Sequence, residues 1–396
     1  MSERPVIRLK PKADARRLRH GHPWAHADDL VLDRRTRGLS AGTIVTLEDA
    51  ERRAIGTFAF NPGAAIAARA LDRDPQARID RDWLAGRLDR ALALREALHD
   101  SPHYRLVHAE GDGLPGLVID RFGAALAIQP NAAWIEALLP DLVDVLCATT
   151  GATLIVKNAG GRARAQEGLD DESAILLGRA EGPLDVPMNG AVYRADLTGG
   201  QKTGLFYDQR PNHAFDAGLA AGTRVLDVFS HVGGFALAAL AAGATGAIAV
   251  DGSEPALALA REGAERSGTA ARFEAYRADA FAALEQLGAE GERFGTVVCD
   301  PPAFAPAKAA LEKGLRAYER VARLAAPLVA PGGTLTLCSC SHAATLEKFQ
   351  AASTRGIGRA GREAALVRTG FAGPDHPVHA ALGGQGYLKA LTFRLA

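Results

Sequence analysis

Residues 224–251 read RVLDVFSHVGGFALAALAAGATGAIAVD. The apolar run 224–229 reads as a buried strand. Ser230-His231-Val232-Gly233-Gly234 breaks it, and an Ala/Leu-rich helix is expected over 235–242. A second apolar strand, 247–250, ends on Asp251. Strand, glycine turn, helix, strand and acid make half of a doubly wound sheet. Such a sheet holds a nucleoside-type cofactor at the carboxyl ends of its strands.

Downstream the alternation continues. A helix is expected over 254–267 and a strand over 271–276, then Asp279-Ala280 leading a helix over 281–287. Strand 296–299 ends in Asp300-Pro301-Pro302. A helix over 308–329 precedes strand 334–338, which runs into Ser339-Cys340-Ser341-His342. Late strands near 365–369 and 387–395 complete an α/β, Rossmann-like, mainly parallel sheet of seven strands. Upstream, residues 1–70 read as a small β-rich domain with strands at 43–47 and 54–60, closed by Asn61-Pro62-Gly63. Residues 71–80 look like a linker. Helices over 83–99 and 134–149 and strands near 104–108, 117–121, 124–129 and 154–157 give a central α+β domain over 71–188. The third domain is expected over 189–396.

The 396 residues are 47% hydrophobic and 23% charged, ordinary values for a globular chain able to bury sizeable cores. Four unevenly spaced cysteines make no disulfide framework, and Cys338-Ser339-Cys340 has no second pair to complete a zinc site. No metal is expected. Free thiols suit a reducing cytoplasm. No apolar run approaches the roughly 18 residues of a membrane span, and the beginning of the chain lacks a signal peptide's apolar stretch. Lys plus Arg balance Asp plus Glu at 46 each, yet the charge is uneven. Arg4, Arg8, Lys10, Lys12, Arg16, Arg17 and Arg19 face one acid, Asp14, and Arg34, Arg35, Arg37, Arg52 and Arg53 follow. A basic start on a neutral chain points to a polyanion such as RNA, against the plainer reading of a solvated face. Trp24 is expected in the core rather than as a base-stacker.

The cofactor can be narrowed from residue chemistry. A dinucleotide site wants GxGxxG after the first strand; Ser230-His231-Val232-Gly233-Gly234-Phe235 does not match it. Asp227 lies on the first strand. Asp251, with Ser253 beyond it, ends the second strand, where a carboxylate accepts from ribose hydroxyls. Asp279, beside Ala280, follows the third strand, where it could take an adenine amine. Each acid alone could be a helix cap. Together they suit a cationic cofactor without phosphates, and S-adenosylmethionine (SAM) fits. Asp300-Pro301-Pro302 fixes a carboxylate at the next strand end, where the cleft would face the methyl group. A cysteine on the neighbouring strand end explains itself if the acceptor is C5 of cytosine. That carbon is a poor nucleophile until a thiolate adds to C6. Nitrogen acceptors need no thiol. Strand alternation sets Cys338 and Cys340 on one face, so spacing does not choose between them. Cys340, further out, is the better candidate.

With those residues in hand, the third domain resembles a class I SAM-dependent methyltransferase. In detail the whole chain resembles the ribosomal large-subunit methyltransferase I family, which makes 5-methylcytidine in 23S rRNA. Residues 17–24, RLRHGHPW, look like that family's PUA domain, and 111–120, GDGLPGLVID, like its central domain. Further marks are the 201–210 stretch, Asp227 to Phe235, DPPAF at 300–304, Ser339-Cys340-Ser341, Asp375-His376-Pro377 and Gly386-Tyr387-Leu388-Lys389. The resemblance implies that Cys340 is the nucleophile. It implies that Gln201, Lys202 and Arg210 border the SAM pocket, and that Phe229, Asp251, Asp279 and Asp300 contact cofactor or cleft. Ser230, Gly233, Gly234, Phe235, Ala280 and Pro301 complete the expected cofactor-binding set, and Asp300 joins Cys340 in the catalytic pair. His231 has no assigned role. The expected partner is large-subunit rRNA, with no membrane; a homodimer is left open.

Two other readings compete. One is a nitrogen methylase acting on guanine or adenine in the same fold. The other is a non-catalytic RNA-binding assembly factor that keeps a relic pocket.

Overall fold

The computed structural model describes residues 4–199, 204–383 and 386–396. The chain divides into two units: residues up to 181 with 374–383, and residues 182–373 with 386–396.

The first unit contains two five-stranded sheets. In chain order its elements are β1 (Val6–Arg8), α1 (Ala15–Arg19), β2 (Trp24–Ala25), α2 (Arg34–Arg37), β3 (Thr43–Glu48), β4 (Ala54–Phe60) and β5 (Ala68–Asp72). Then come α3 (Arg81–Leu98), β6 (His103–His108), β7 (Leu117–Phe122), β8 (Ala125–Pro130), α4 (Ala133–Ala137), α5 (Leu139–Thr150), β9 (Leu154–Lys157), α6 (Arg162–Glu167) and β10 (Ala174–Leu177). The first sheet runs β1-β3-β4-β5-β2 over a core of Ile7, Leu9, Val45, Leu47, Phe58 and Phe60. The turn at residues 61–63 does not close it: the chain comes back as β5, between β4 and β2. Arg69 interrupts the apolar pattern of that strand, which hides it in the sequence. Its end at Asp72 also takes the first two residues of the expected linker. The second sheet runs β10-β9-β8-β7-β6 and packs with Leu84, Leu88, Leu142 and Leu146 of α3 and α5. The single helix expected over 134–149 is two. Pro140, in the first turn of α5, has no N–H for a continuous ladder.

The second unit opens with a hairpin, β11 (Leu184–Met188) and β12 (Ala191–Ala195), followed by α7 (Arg210–Ala220). Strands and helices then alternate: β13 (Arg224–Val228), α8 (Gly234–Ala241), β14 (Gly246–Asp251), α9 (Glu254–Arg266), β15 (Phe273–Arg277), α10 (Ala280–Ala289) and β16 (Phe294–Cys299). After α11 (Leu311–Ala325), β17 (Val329–Ser339) and α12 (Leu346–Arg359), the chain ends in β18 (Ala364–Gly370) and β19 (Lys389–Leu395). The seven-stranded sheet has the order β15-β14-β13-β16-β17-β19-β18. Its first five strands are parallel, and the last two join antiparallel. This is the mainly parallel sheet expected from the alternation.

Both faces are covered. Leu226, Val228, Ile248, Val250, Leu335 and Leu337 pack with Tyr318, Val321, Ala322, Phe349 and Ile357 from α11 and α12. The alternate residues Val225, Ala247 and Ala249 meet Ala236, Leu240 and Leu257 from α8 and α9. Strand alternation thus splits one apolar run between two layers of helix. Helices α11 and α12 approach so closely that a Cβ at Gly356 would stand 2.4 Å from the Glu319 carbonyl.

Candidate active site

Strand order reverses between β13 and β16: the chain builds outward from β13 through β14 to β15, then returns to the other side. Crevices for ligands form at such a switch point, beyond the carboxyl ends of the strands. The register aligns Val228 with Val250 on one side and Cys299 on the other, and Cys299 with Leu337. One residue further along, Phe229, Asp251, Asp300 and Cys338 form a row at the rim. Cys340 lies two positions beyond that row.

The loop after β13 is wound tightly. Phe229 (φ 63°), His231 (φ 51°) and Gly233 (φ 79°) all take left-handed backbone, which costs a non-glycine residue on the order of 1 kcal/mol or more. What holds it is a set of carboxylates. Asp227 is fully buried, and its Oδ2 accepts from Phe235 N at 3.2 Å and Ala236 N at 2.9 Å, the open amides of α8. Burial pushes the Asp227 carboxyl up to about 7, against the pull of those two amides, with Asp251 and Asp216 adding to the rise. Asp251 Oδ2 accepts from His231 N at 2.9 Å, and its Oδ1 from Ser253 N at 2.8 Å. His231, with no role assigned from sequence, thus supplies the amide that ties the glycine loop to β14. Its ring lies 5.0 Å from that of Phe206. Ser253 caps α9 through Ala256 N, and Asp279, exposed, caps α10 through Ala282 N, with Ala280 buried behind it. Gly234 leaves room for His213, whose Nε2 would be 2.7 Å from a Cβ there.

The other half of the rim carries Asp300 and the two thiols. Asp300 N bonds back to Val228 O, and Pro301 behind it is buried. Asp300 Oδ2 accepts from Gln209 Nε2 at 2.9 Å, and Gln209 Oε1 accepts from Asn212 Nδ2 at 2.7 Å. The same Gln209 side chain hydrogen-bonds to the Cys338 thiol. Cys338 packs with Phe235, Val298 and Ala390, and burial, then the charge of Asp300, pushes its thiol well above the ordinary range. Cys338 is therefore a core residue.

Cys340 is half-buried just past the end of β17. Its neighbours are fixed. Ser339 Oγ donates to Tyr318 Oη at 2.9 Å, Tyr318 Oη lies 2.8 Å from Ser341 Oγ, and Ser341 Oγ accepts from Ala305 N at 3.0 Å. The two serines flanking the cysteine are pinned from α11, and the second also holds the loop that follows Asp300-Pro301-Pro302. Register and alternation together separate the thiols that spacing alone could not: Cys338 is in the row, Cys340 above it.

The residues fit the expected cofactor. Asp227 Oδ1, Ser230 Oγ and Asp208 Oδ1 are buried acceptors with no hydrogen-bond partner among the described residues. A ligand bearing an ammonium and ribose hydroxyls supplies the donors such oxygens lack. Gln201 and Lys202 lie outside the described residues. Arg210 opens α7, with its guanidinium 5.2 Å from the Tyr207 ring. Gln209 carries no local mark of a site role, because Asp300 lies 91 residues away in sequence.

The basic start of the chain is only partly available to a polyanion. Arg4 donates to Thr57, Pro75 O and Ala77 O. Arg19 and Arg53 both bond Asp49, and Arg17 faces Asp29 at 3.6 Å. Lys12, Arg16 and Arg34 are exposed. Trp24 is half-buried, its indole N–H on Glu110 at 2.9 Å. No described helix is long and apolar enough to cross a membrane.

Comparison with known proteins agrees with this geometry. The S-adenosylmethionine-dependent methyltransferase family model matches residues 141–377, and a PUA-like domain model matches residues 7–73. A relative from Shewanella amazonensis, ribosomal RNA large subunit methyltransferase I, is 34% identical over 98% of this chain and 99% of its own. The ribosomal RNA large subunit methyltransferase of Deinococcus radiodurans is 33% identical over 100% of this chain and 98% of its own. A candidate SAM-dependent methyltransferase from Streptococcus mutans shares the fold, with a TM-score of 0.81, 19% identity, and coverage of 98% and 100%.

Proposed function

This chain belongs to the S-adenosylmethionine-dependent methyltransferase family, and from that premise we propose that it methylates C5 of a cytidine in large-subunit ribosomal RNA through a covalent adduct of Cys340. The observation that carries this reading is the Ser339-Cys340-Ser341 turn, pinned by Tyr318 and tied to the loop after Asp300. The relatives' names support ribosomal RNA as the substrate class, and the PUA-like domain is the expected RNA contact.

SAM, when bound, would supply an electrophilic methyl group, the pair of the broken S–CH3 bond staying on sulfur, which leaves as a neutral thioether. Asp251 is suited to the ribose hydroxyls, Asp227 and Ser230 to the amino-acid head, and Asp279 to the adenine side. Gln201, Lys202 and Arg210 are assigned to the pocket's border. The target base has to leave its stack to reach the cleft. The Cys340 sulfur, deprotonated, donates its electron pair to C6. The C5–C6 π pair then becomes available at C5 for the new carbon–carbon bond. Loss of the C5 proton to a base restores the double bond and expels the thiolate. Asp300, held by Gln209, is suited to accept from the N4 edge of the pyrimidine.

Methylation of ribosomal RNA by the purified chain, with nucleosides identified by mass, tests the reading. Wild type and a Cys338→Ala control should yield 5-methylcytidine. Cys340→Ala should yield none while still binding SAM by calorimetry. Full activity of Cys340→Ala, or a methylated guanine or adenine as product, would overturn it.

A further inference from the structure

Lys389 begins β19, paired with Ser339 across the antiparallel ladder. It is 3% exposed. Lysines are seldom buried unless something holds the charge. Here Nζ donates to Ser341 O at 2.9 Å and to Ala344 O at 2.8 Å, the turn that immediately follows Cys340. Burial pushes the ammonium down, and the Cys340 thiol interacts with it in the opposite sense, raising it. An ammonium has three donors, and two carbonyls bring no negative charge to balance its own.

Three other titratable groups among the described residues bear on this end of the sheet. Tyr318, from α11, is a phenol raised by burial and bonded to both flanking serines. His342 is lowered, first by burial and then by Lys389 itself; it is neutral at neutral pH. Its ring lies 5.7 Å from Tyr387, whose hydroxyl donates to Asp208. Asp300, from the end of β16, acts on Cys338 and would oppose a thiolate.

We propose that Lys389 is a positioning residue for Cys340: it fixes the 341–344 turn through two carbonyls and sets an ammonium at the turn that follows the sulfur, so that the thiolate forms near neutral pH. The thiol proton leaves to solvent; the charged ammonium takes none. The proposal rests on Cys340 being the nucleophile, and it gives that nucleophile the cation a reactive thiol requires.

The test follows iodoacetamide modification of Cys340 in the full chain by peptide mass, as a function of pH and without RNA. In wild type the rate midpoint should fall below about 8.5, the ordinary thiol value. In Lys389→Met it should rise by about one unit, making modification at neutral pH about ten-fold slower. Lys389→Arg should restore much of the wild-type profile. SAM binding by calorimetry should persist in both variants. An unshifted midpoint in a SAM-binding Lys389→Met overturns the proposal. So does a wild-type midpoint at or above the ordinary value, which needs no variant to fold. Alkylation reads the thiol independently of methyl transfer. An active Cys340→Ala would therefore sink the nucleophile reading, and a flat pH response would sink the role of Lys389.

Discussion

Gln209 Nε2 donates a hydrogen bond of 2.9 Å to Asp300 Oδ2 from a side chain only 3% exposed. Gln209 also accepts from Asn212, whose amide reaches Phe371 O at 3.2 Å. Two amides in series therefore link the start of α7, the end of β16 and the segment after β18. The first holds one oxygen of the Asp300 carboxylate.

Gln209→Leu removes its bonds to Asp300, Asn212 and Cys338 and puts an apolar side chain against those buried polar groups. Thermal or urea unfolding should show a loss of about 1–3 kcal/mol, the usual cost of stranding buried polar groups. On the proposed reading, in which Asp300 orients the base, methyl transfer should fall about ten-fold, because the carboxylate loses one of its anchors. SAM affinity should change little. A variant with wild-type kcat would show that Asp300 needs no such support.

On the proposed reading, in which Asp227 takes the amino-acid head of SAM, this residue couples cofactor binding to pH. With no ligand its carboxyl is pushed up to about 7 by burial, so it is largely protonated below that value. A cationic ligand group favours the ionised form, so binding expels the proton. SAM affinity should therefore rise with pH up to about 7 and level off above it, by up to about ten-fold per unit. Asp227→Asn keeps an oxygen for the Phe235 and Ala236 amides but no charge. It should bind SAM more weakly and with a flat profile between about pH 6 and pH 8. Calorimetry across that range decides; an unchanged slope in the variant removes Asp227 from the site.

Asp216 is also fully buried, with Oδ1 accepting from Thr336 at 2.9 Å and Thr392 at 3.4 Å. Burial pushes it up to about 7 from 3.8, the reference value for a free aspartate. The folded state therefore keeps a proton that the unfolded state loses. Stability from this group is greatest below the unfolded value and declines as pH rises between the two, by about 4 kcal/mol at most. Asp216→Asn cannot ionise, so its unfolding free energy should fall less than that of wild type between about pH 4 and pH 7. Parallel pH profiles for the two proteins would contradict this.

Much of the second unit was legible because its signals are local. Alternating apolar runs and Ala-rich helices repeat along 224–339, and each strand end is marked by a glycine, an acid or a Pro-Pro pair. Asp279 shows the limit of such marks: alone in sequence it reads as a cap, beside Asp227 and Asp251 as a ligand, and the structure shows the cap directly. The basic start of the chain shows another limit. Charge counting cannot see that Asp49 takes two arginines and that Arg4 is committed to two carbonyls.

The sequence by itself determined the alternation of strands and helices in the second unit, its sheet type and the kind of cofactor, since hydrophobic period and turn chemistry act over a few residues. Only the tertiary structure separates the surroundings of Cys338 and Cys340. The register of β16 on β17 levels Cys338 with Asp300, where Phe235, Val298 and Ala390 bury it, and leaves Cys340 half-buried two positions beyond. It also brought Gln209 to Asp300 and Lys389 to the turn beyond Cys340, pairs 91 and 48 residues apart whose bonds form only when the sheet closes. Contacts across that distance depend on how strands align, and no short window of sequence encodes that alignment.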